Sequence, residues 1–190
     1  MPQVCLDFVK DVVPHLDAAY NLARWLTRND EDAQDVVQEA YLRAFKFIGG
    51  FRGGNVRAWV LRIVRNTCYT WMHQNRPQHP TLEFDEEYFG PDPLAPTPEE
   101  TISRSDDRTL VRRALEGLPP QHREVLILRE LEGMSYKEIS EIMALPAGTV
   151  MSRLSRARDG LRRSLANLGC QGAFQSSPQF VTDPSDRRSS

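Results

Sequence analysis

A short segment near the end of the chain constrains the fold more than any other, because it predicts two helices joined by a tight turn. Ser135 and Glu138 have the spacing of a capping box, so a helix is expected to begin at Tyr136. Pro146 and Gly148 are expected to end that helix, because proline lacks a backbone N–H and glycine tolerates turn dihedrals. A second helix follows, and its recurring apolar residues predict the face that points inward. They are Val150, Leu154, Ala157 and Leu161.

Other side chains near the start of this second helix are left facing outward. They are Thr149, Met151, Ser152, Ser155 and Arg156. This arrangement is typical of a helix-turn-helix, in which the second helix enters a DNA major groove. Taken alone, the segment fits a pair of surface helices with a solvated charged face equally well.

Charge is divided unevenly along the 190 residues, although the formal net charge is only −2. Residues 1–78 hold 10 basic and 8 acidic side chains, and residues 108–168 hold 11 and 7. Between them, residues 79–107 hold 1 basic and 9 acidic side chains together with several prolines. Two mildly basic domains are therefore predicted, joined by an extended acidic linker that lets each be positioned independently. Residues 169–190 are expected to form a disordered tail.

Cysteine and histidine usage predicts a cytoplasmic protein without a metal site. The three cysteines are odd in number and far apart, which fits a reducing compartment. The four histidines lack the spacing of metal ligands or of a catalytic nucleophile and base. We expect no enzymatic activity and no cofactor, and the absence of a signal peptide or a long apolar stretch predicts no membrane insertion.

The N-terminal block is predicted to form three helices, of which the first covers about residues 9–28 and is open to a break at Pro14. The face expected to point inward consists of Val9, Val13, Leu16, Tyr20 and Ala23. A second helix is expected after a cap at Asn29 or Asp30. Its predicted inward face consists of Ala33, Val36, Val37, Ala40, Tyr41, Ala44, Phe45 and Ile48.

A third helix is predicted after the glycine-rich loop at residues 49–54. Its expected buried stripe consists of Val56, Trp59, Val60, Ile63, Val64, Thr67 and Trp71. The opposite face collects Arg62, Arg65, Tyr69, Met72, His73 and Arg76. Arginine neutralises phosphate and tyrosine stacks on an unpaired base, so this face is a candidate surface for single-stranded DNA. An ordinary solvated face with a partly covered Tyr69 is the alternative.

Taken together, the two blocks resemble the extracytoplasmic-function sigma factors, the compact class of the sigma-70 family. The resemblance covers about residues 8–168. In the N-terminal block it rests on DAQDVVQEAYLRAF at 32–45, FRGG at 51–54 and RAWVLRIVRN at 57–66. In the C-terminal block it rests on LPPQHREVL at 118–126 and on the helix-turn-helix.

The resemblance implies an all-α fold of two small helical domains. A sigma region 2 helical bundle would occupy residues 1–78 and a sigma region 4 helix-turn-helix domain residues 108–168. The acidic, proline-rich linker between them would thread the polymerase cleft. The implied function is transcription initiation, with core RNA polymerase and promoter DNA as partners and an anti-sigma factor as regulator.

The resemblance also assigns candidate contact residues to each partner. Docking on core polymerase is implied for Asp35, Gln38, Glu39 and Arg43. Contact with the minus-ten promoter element is implied for Phe51, Arg52, Asn55, Arg62, Arg65, Asn66, Tyr69, His73 and Arg76. Contact with the minus-thirty-five element is implied for Thr149, Met151, Ser152, Arg153, Ser155, Arg156, Arg158 and Arg162. Met151 stands where relatives often carry a basic residue. A stand-alone helix-turn-helix regulator that binds operators as a dimer is the alternative function.

Overall fold

The computed structural model describes residues 6–75 and 107–168, and these residues are helical with no β-strand among them. The N-terminal bundle comprises α1, α2 and α3, and the C-terminal bundle comprises α4, α5, α6 and α7. Their bounds are α1 Leu16–Thr27, α2 Asp30–Phe47, α3 Val56–Asn75, α4 Asp107–Glu116, α5 Pro120–Leu126, α6 Tyr136–Met143 and α7 Ala147–Asn167. The predicted all-α fold is confirmed for this part of the chain, whereas the linker and the tail lie outside the described residues, apart from the first residue of α4.

The chain enters α1 through two short irregular turns rather than through one continuous helix. A π turn spans Phe8–Val12 and a 3₁₀ turn spans Val13–His15, with Pro14 in its first positions, where the missing N–H is tolerated. The predicted inward face was wrong at its first three positions, because Val9 is 70%, Val13 38% and Leu16 44% exposed. This break shifts the buried stripe to Val12, Ala19, Leu22, Ala23 and Leu26.

Asn29 caps α2 and is one of the two capping residues that the sequence predicts. Its side-chain oxygen accepts from the backbone N–H groups of Glu31 at 2.8 Å and Asp32 at 3.1 Å. The small apolar residues of the predicted face are buried in the bundle. Phe45 is the exception: it is 64% exposed, and its ring meets that of Phe8 edge-on, at 5.2 Å between centroids.

The third helix begins after Gly53 and Gly54, whose φ angles of 92° and 107° are accessible mainly to glycine. Asn55 then accepts the backbone N–H of Ala58 at 3.1 Å and so fixes the first turn. The buried side of α3 is rotated from the predicted one and consists of Ala58, Val60, Leu61, Val64, Thr67, Cys68 and Met72. Met72, predicted to join the polar face, is instead packed in the core, and the two tryptophans of the predicted stripe are only half-buried.

The helix-turn-helix is formed by α6 and α7. The predicted capping box is present, since Ser135 Oγ accepts from the backbone N–H of Glu138 and the Glu138 carboxylate accepts from that of Ser135. The turn itself is made by Ala144 in the left-handed region, with a φ of 54°. Gly148 was wrongly predicted to help break the helix, because it lies in the first turn of α7, after Pro146.

The two bundles pack against each other: α3 lies against α6, and α1 lies against α5. Arg123 on α5 is fully buried where they meet, and its guanidinium donates to three backbone carbonyls of its own bundle, those of Leu115, Glu116 and Leu118. It also donates to the carbonyl of Trp25 on α1, at 2.9 Å. The sequence predicts modules that can be positioned independently, whereas the structure holds them in contact.

Candidate nucleic-acid and polymerase interfaces

The candidate polymerase-docking residues lie along one side of α2. Asp35, Gln38 and Glu39 are exposed, and Arg43 is half-buried. Arg43 Nε donates to Glu39 Oε1 at 2.8 Å, an i,i+4 ion pair that holds both side chains along the helix surface. This face of α2 is therefore accessible while the two bundles are in contact.

Two exposed apolar residues extend this face, and the sequence analysis missed their role in it. Leu42 and Phe45 are both more than half exposed. Leu42 follows Asp35, and Phe45 follows Gln38, at the i, i+7 spacing of residues that share a helix face. Helical periodicity in the sequence therefore already placed both apolar residues beside the polar ones. An apolar strip next to a charged one is typical of a protein–protein contact.

The candidate minus-ten residues fall into three sets in the structure. Arg52, Arg62, Asn66 and His73 are exposed to solvent, and Asn55 is exposed as well although it contacts the C-terminal bundle. Phe51 is only 8% exposed, because its ring packs against Trp59 with the centroids 5.4 Å apart. The remaining described ones, Asn55, Arg65 and Tyr69, contact the C-terminal bundle. Arg76 lies outside the described residues.

Arg65 and Tyr69 share a buried partner from the other bundle. Arg65 Nε donates to Glu124 Oε1, and Tyr69 Oη donates to Glu124 Oε2 at 2.8 Å. The Arg65 guanidinium also lies over the Tyr69 ring, 4.6 Å from its centroid, so the two side chains form a single positively charged aromatic pair. The Glu124 side chain is completely buried.

Polar contacts continue along the same surface. Arg57 Nη1 donates to the backbone carbonyl of Glu132 at 2.9 Å, and its Nη2 donates to the carboxylate of the same residue. Asn55 Nδ2 donates to the carboxylate of Glu138. We call these contacts the bundle interface. It joins Asn55, Arg57, Arg65 and Tyr69 of the N-terminal bundle to Glu124, Glu132 and Glu138 of the C-terminal bundle. Arg57 was not among the candidate residues from the sequence.

The environment of the bundle interface shifts the pKa of its buried groups. Burial raises the pKa of Glu124, while the charge of Arg65 and the hydrogen bond from Tyr69 act in the opposite direction. Burial, followed by the charge of Glu124, raises the pKa of Tyr69. The same two causes raise the pKa of Cys68, so its thiol is a poor nucleophile in this conformation.

The candidate minus-thirty-five residues are more accessible. Met151, Ser152, Ser155 and Arg156 are exposed along one side of α7, whereas the neighbouring Thr149 is half-buried. The predicted inward residues of α7 are buried, apart from Leu161, which is half-buried. The helix-turn-helix therefore exposes these four residues of the outward face that the sequence predicts, while Thr149 is partly covered.

Three other arginines of α7 are arranged differently. Arg153 is half-buried, and its charge affects the pKa values of His122, Tyr69 and Glu124, so it lies toward the bundle interface. Arg158 forms an ion pair with Glu130 at 2.6 Å between Nη2 and Oε1. Arg162 forms an ion pair with Asp159 at 2.7 Å between Nη1 and Oδ1.

Membrane spans and metal sites were sought in the residues that the structure describes. No helix there has the length and apolar character needed to cross a bilayer. No group of three or more His, Cys, Asp or Glu side chains in residues 6–75 and 107–168 could hold a metal ion.

Comparison with protein families assigns each bundle to a known region. Residues 12–77 match the model of sigma-70 region 2, and residues 108–160 match the model of sigma-70 region 4. The first match spans the N-terminal bundle from its initial turns through α3. The second extends from α4 into α7 and includes the helix-turn-helix.

Curated relatives match across both regions. The chain is 34% identical to the ECF RNA polymerase sigma factor SigE of Mycolicibacterium smegmatis over 84% of its own length, and it spans 62% of that protein. It is 34% identical to the RNA polymerase sigma-H factor of Pseudomonas aeruginosa, with 73% of this chain and 75% of that protein covered. It is 36% identical to the ECF RNA polymerase sigma-E factor of Escherichia coli, with 72% and 75% covered.

Two solved structures have the same arrangement of helices. The sigma factor RpoE in complex with the anti-sigma factor NepR from Bartonella quintana matches with a TM-score of 0.64 and 27% identity, over 84% of this chain and 97% of that one. CnrH in complex with the cytosolic domain of CnrY matches with a TM-score of 0.60 and 25% identity, over 86% and 88%. The chain thus belongs to the extracytoplasmic-function group of the sigma-70 family of transcription initiation factors.

Proposed function

We propose that this chain binds core bacterial RNA polymerase and directs it to promoters that carry paired minus-ten and minus-thirty-five elements. The observation that supports this most is the presence of two different accessible faces, one on each sigma region. The α2 face is polar with an apolar edge and suits a protein partner. The α7 face is an exposed helix-turn-helix and suits duplex DNA.

Docking on core polymerase is assigned to the α2 face. Asp35 and Glu39 lie one helical turn apart, so both carboxylates can meet basic side chains on one partner surface. Gln38 and Arg43 add hydrogen-bond capacity beside them, and Leu42 supplies apolar area. The contact is proposed to form without any rearrangement of the two bundles, because the face is already exposed.

Minus-ten recognition is assigned to α3 and the loop before it, covering the domain proposed at residues 1–78. Capturing an extruded base costs a few kcal/mol in lost stacking and pairing. Stacking on an aromatic ring returns about 1–3 kcal/mol per base, and arginine adds phosphate neutralisation. The Arg65–Tyr69 pair combines an aromatic ring for stacking with a guanidinium for a phosphate. Arg62 and Asn66 are exposed on the neighbouring surface.

Minus-thirty-five recognition is assigned to α7, within the domain proposed at residues 108–168. Ser152, Ser155 and Arg156 are assigned to base edges, since they are exposed on the groove-facing side. Arg153, Arg158 and Arg162 are assigned to phosphates. The protein is proposed to act in the cytoplasm, without enzymatic activity of its own, and an anti-sigma factor is the proposed regulator because the similar RpoE is bound by one.

Transcription in vitro tests the proposed function directly. Core polymerase with the purified full chain should initiate accurately at a subset of fragments from the source genome, and core polymerase alone should not. Sequencing the transcript starts would reveal two shared upstream elements. A chain that binds one duplex tightly unaided and does not support initiation would instead be a stand-alone regulator.

The docking assignment predicts the effect of a paired substitution on α2. Asp35→Ala with Glu39→Ala should weaken the affinity for core polymerase by about tenfold, which corresponds to about 1.4 kcal/mol, because two charge contacts are lost. Titration of labelled chain with core polymerase measures this. Glu141→Ala, which removes an exposed carboxylate from α6, is the control and should bind normally. Equal affinities for all three proteins would refute the assignment.

A further inference from the structure

Met151 is a large apolar residue among polar ones on the outward side of α7. Its side chain is 50% exposed, whereas the side chains exposed beside it, Ser152, Ser155 and Arg156, are polar. The proposed function assigns those three to base edges and leaves the role of Met151 open. A thioether has no charge and is only a weak hydrogen-bond acceptor, so Met151 is unsuited to binding phosphate oxygens.

Helical geometry places Met151 on the side of α7 that is turned away from the bundle interface. Arg153 lies toward that interface, and residues two apart in an α-helix point about 200° apart. The preceding residue, Val150, is fully buried and fixes the rotation of the helix. Met151 is therefore held at a defined angle beside the groove-facing residues and is accessible to DNA.

The residues that share this side of α7 with Met151 change from neutral to charged along the helix. Ser155 follows one turn later, and Arg158 and Arg162 follow at i+7 and i+11. In a helix-turn-helix, the residues near the start of the second helix contact base edges in the major groove. Arginines farther along the same side suit the phosphate backbone. The order of these residues therefore places Met151 at the bases rather than at the phosphates.

The major groove offers one apolar group to a side chain of this kind. All four bases present hydrogen-bond donors or acceptors there, and thymine adds its 5-methyl group. Methionine is unbranched and flexible, so its side chain can adapt to reach that methyl group. Packing it against a donor or acceptor would instead remove water from a polar atom without replacing the hydrogen bond, which costs free energy.

The neighbouring residue Ser152 is compatible with the same type of base pair. Its hydroxyl donates to the backbone carbonyl of Thr149, with 3.0 Å between the two oxygens. The hydroxyl hydrogen is thus used within the helix, and the oxygen presents acceptor lone pairs to the groove. Adenine, the partner of thymine, presents an amino donor in the major groove. An A·T pair therefore suits both adjacent side chains.

We propose that Met151 is a specificity-determining residue that recognises the 5-methyl group of a thymine in the minus-thirty-five element. The contact buries two apolar groups against each other and removes both from water. A base that lacks the methyl group leaves Met151 without an apolar partner in the groove. This inference rests on the proposed function of α7 and deepens it by naming the base that this residue reads.

Deoxyuridine tests the contact, because it differs from thymidine only in lacking that methyl group. The minus-thirty-five element is first identified by sequencing the transcripts that the native chain initiates with core polymerase. Each thymine of the element, on either strand, is then replaced singly by deoxyuridine, and binding of the assembled complex is measured. Replacement at one position should weaken binding by about fourfold, which corresponds to about 0.8 kcal/mol for one buried apolar group of this size.

Two variants of Met151 identify the side chain that reads the methyl group. Met151→Ala should bind thymine and deoxyuridine DNA with equal affinity at that position, while Met151→Leu should retain the preference because it keeps the apolar area. Alanine and leucine are good helix formers, so circular dichroism should show native helix content in both variants. Arg162→Ala is the control and should weaken binding to both DNAs alike, which leaves their affinity ratio unchanged.

Two results would overturn the thymine contact. One is a native complex whose element contains no thymine or is insensitive to deoxyuridine at every thymine. The other is a methyl effect that persists unchanged in Met151→Ala. In both cases the native chain still directs initiation, so the proposed function is unaffected. A native complex that neither binds nor initiates at any promoter would instead refute the proposed function, and the thymine contact with it.

Discussion

The polar faces of α3 and α7 carry similar residues but differ in what covers them. On α3, Arg65 and Tyr69 are turned toward a buried carboxylate of the other bundle. On α7, Ser155 and Arg156 are exposed. Helical periodicity identifies which residues share a face, but it does not reveal whether another part of the chain packs on that face. Two faces with similar residues thus differ in exposure, since one is covered by the other bundle and one is open to solvent.

The largest expected difference between the two faces is in stability. Arg65→Ala leaves the carboxylate of Glu124 buried without its charge partner, and the loss in free energy of unfolding should be about 3 kcal/mol. Separation of the bundles would limit the loss, because it returns Glu124 to water. Arg156→Ala removes an exposed side chain and should change stability by less than about 0.5 kcal/mol.

Urea unfolding of the full chain, followed by circular dichroism, measures both values. Similar losses for the two variants would mean that the α3 face is not covered in solution, and the contrast between the faces would disappear.

A smaller effect is expected on sequence discrimination by α7. Arg156→Ala should reduce the preference of the polymerase complex for its own minus-thirty-five sequence by about 1–3 kcal/mol, the value of a bidentate contact with guanine. Arg162→Ala, at an exposed position later in the helix, serves as the control and should weaken all sequences alike. Binding of the assembled complex to a panel of upstream variants gives both numbers. A uniform loss with Arg156→Ala would restrict this residue to backbone contact.

The smallest expected effect is that of pH on the contact between the bundles. Burial raises the pKa of Glu124 above its solvated value, with Arg65 and Tyr69 on α3 and Arg153 on α7 opposing the rise. The chain with its bundles in contact therefore binds a proton at Glu124 more readily than a chain with its bundles apart. The stabilisation of the bundle contact by this proton is complete below the ordinary glutamate pKa of about 4.3. It is lost as pH rises through the raised pKa of Glu124.

The radius of gyration of the free chain should accordingly increase as pH rises above the ordinary glutamate pKa and through the raised pKa of Glu124. The variant Glu124→Gln should show no such change, because it cannot titrate. The opposite trend in the native chain would mean that the charged pair, rather than burial, dominates at Glu124.

Local signals in the sequence predicted much of the fold, because they depend on nearby residues. The cap at Asn29 and the capping box at Ser135 were identified from side-chain chemistry alone. The error at Val9 has a different origin: the irregular turns around Pro14 change the helical phase, and the register beyond them cannot be extrapolated. Ala144 in the turn was also missed, since alanine seldom adopts a positive φ.

The exposed face of α7 was predictable because its apolar stripe leaves only one side for solvent. Coverage of the α3 face was not predicted, because it depends on residues far apart in the chain. One signal did exist in the sequence. Arg123 and Glu124 directly precede the apolar run at residues 125–128, which places both beside residues of the core.

The two bundles that meet through Glu124 belong to one polypeptide, so closure is a unimolecular event. The fraction of molecules in which the two bundles are in contact therefore does not change when the cell produces more of the protein. A contact between two separate proteins weakens on dilution, whereas the contact of Glu124 with α3 keeps the same effective concentration. The extent of contact between the bundles should therefore be the same at low and at high expression.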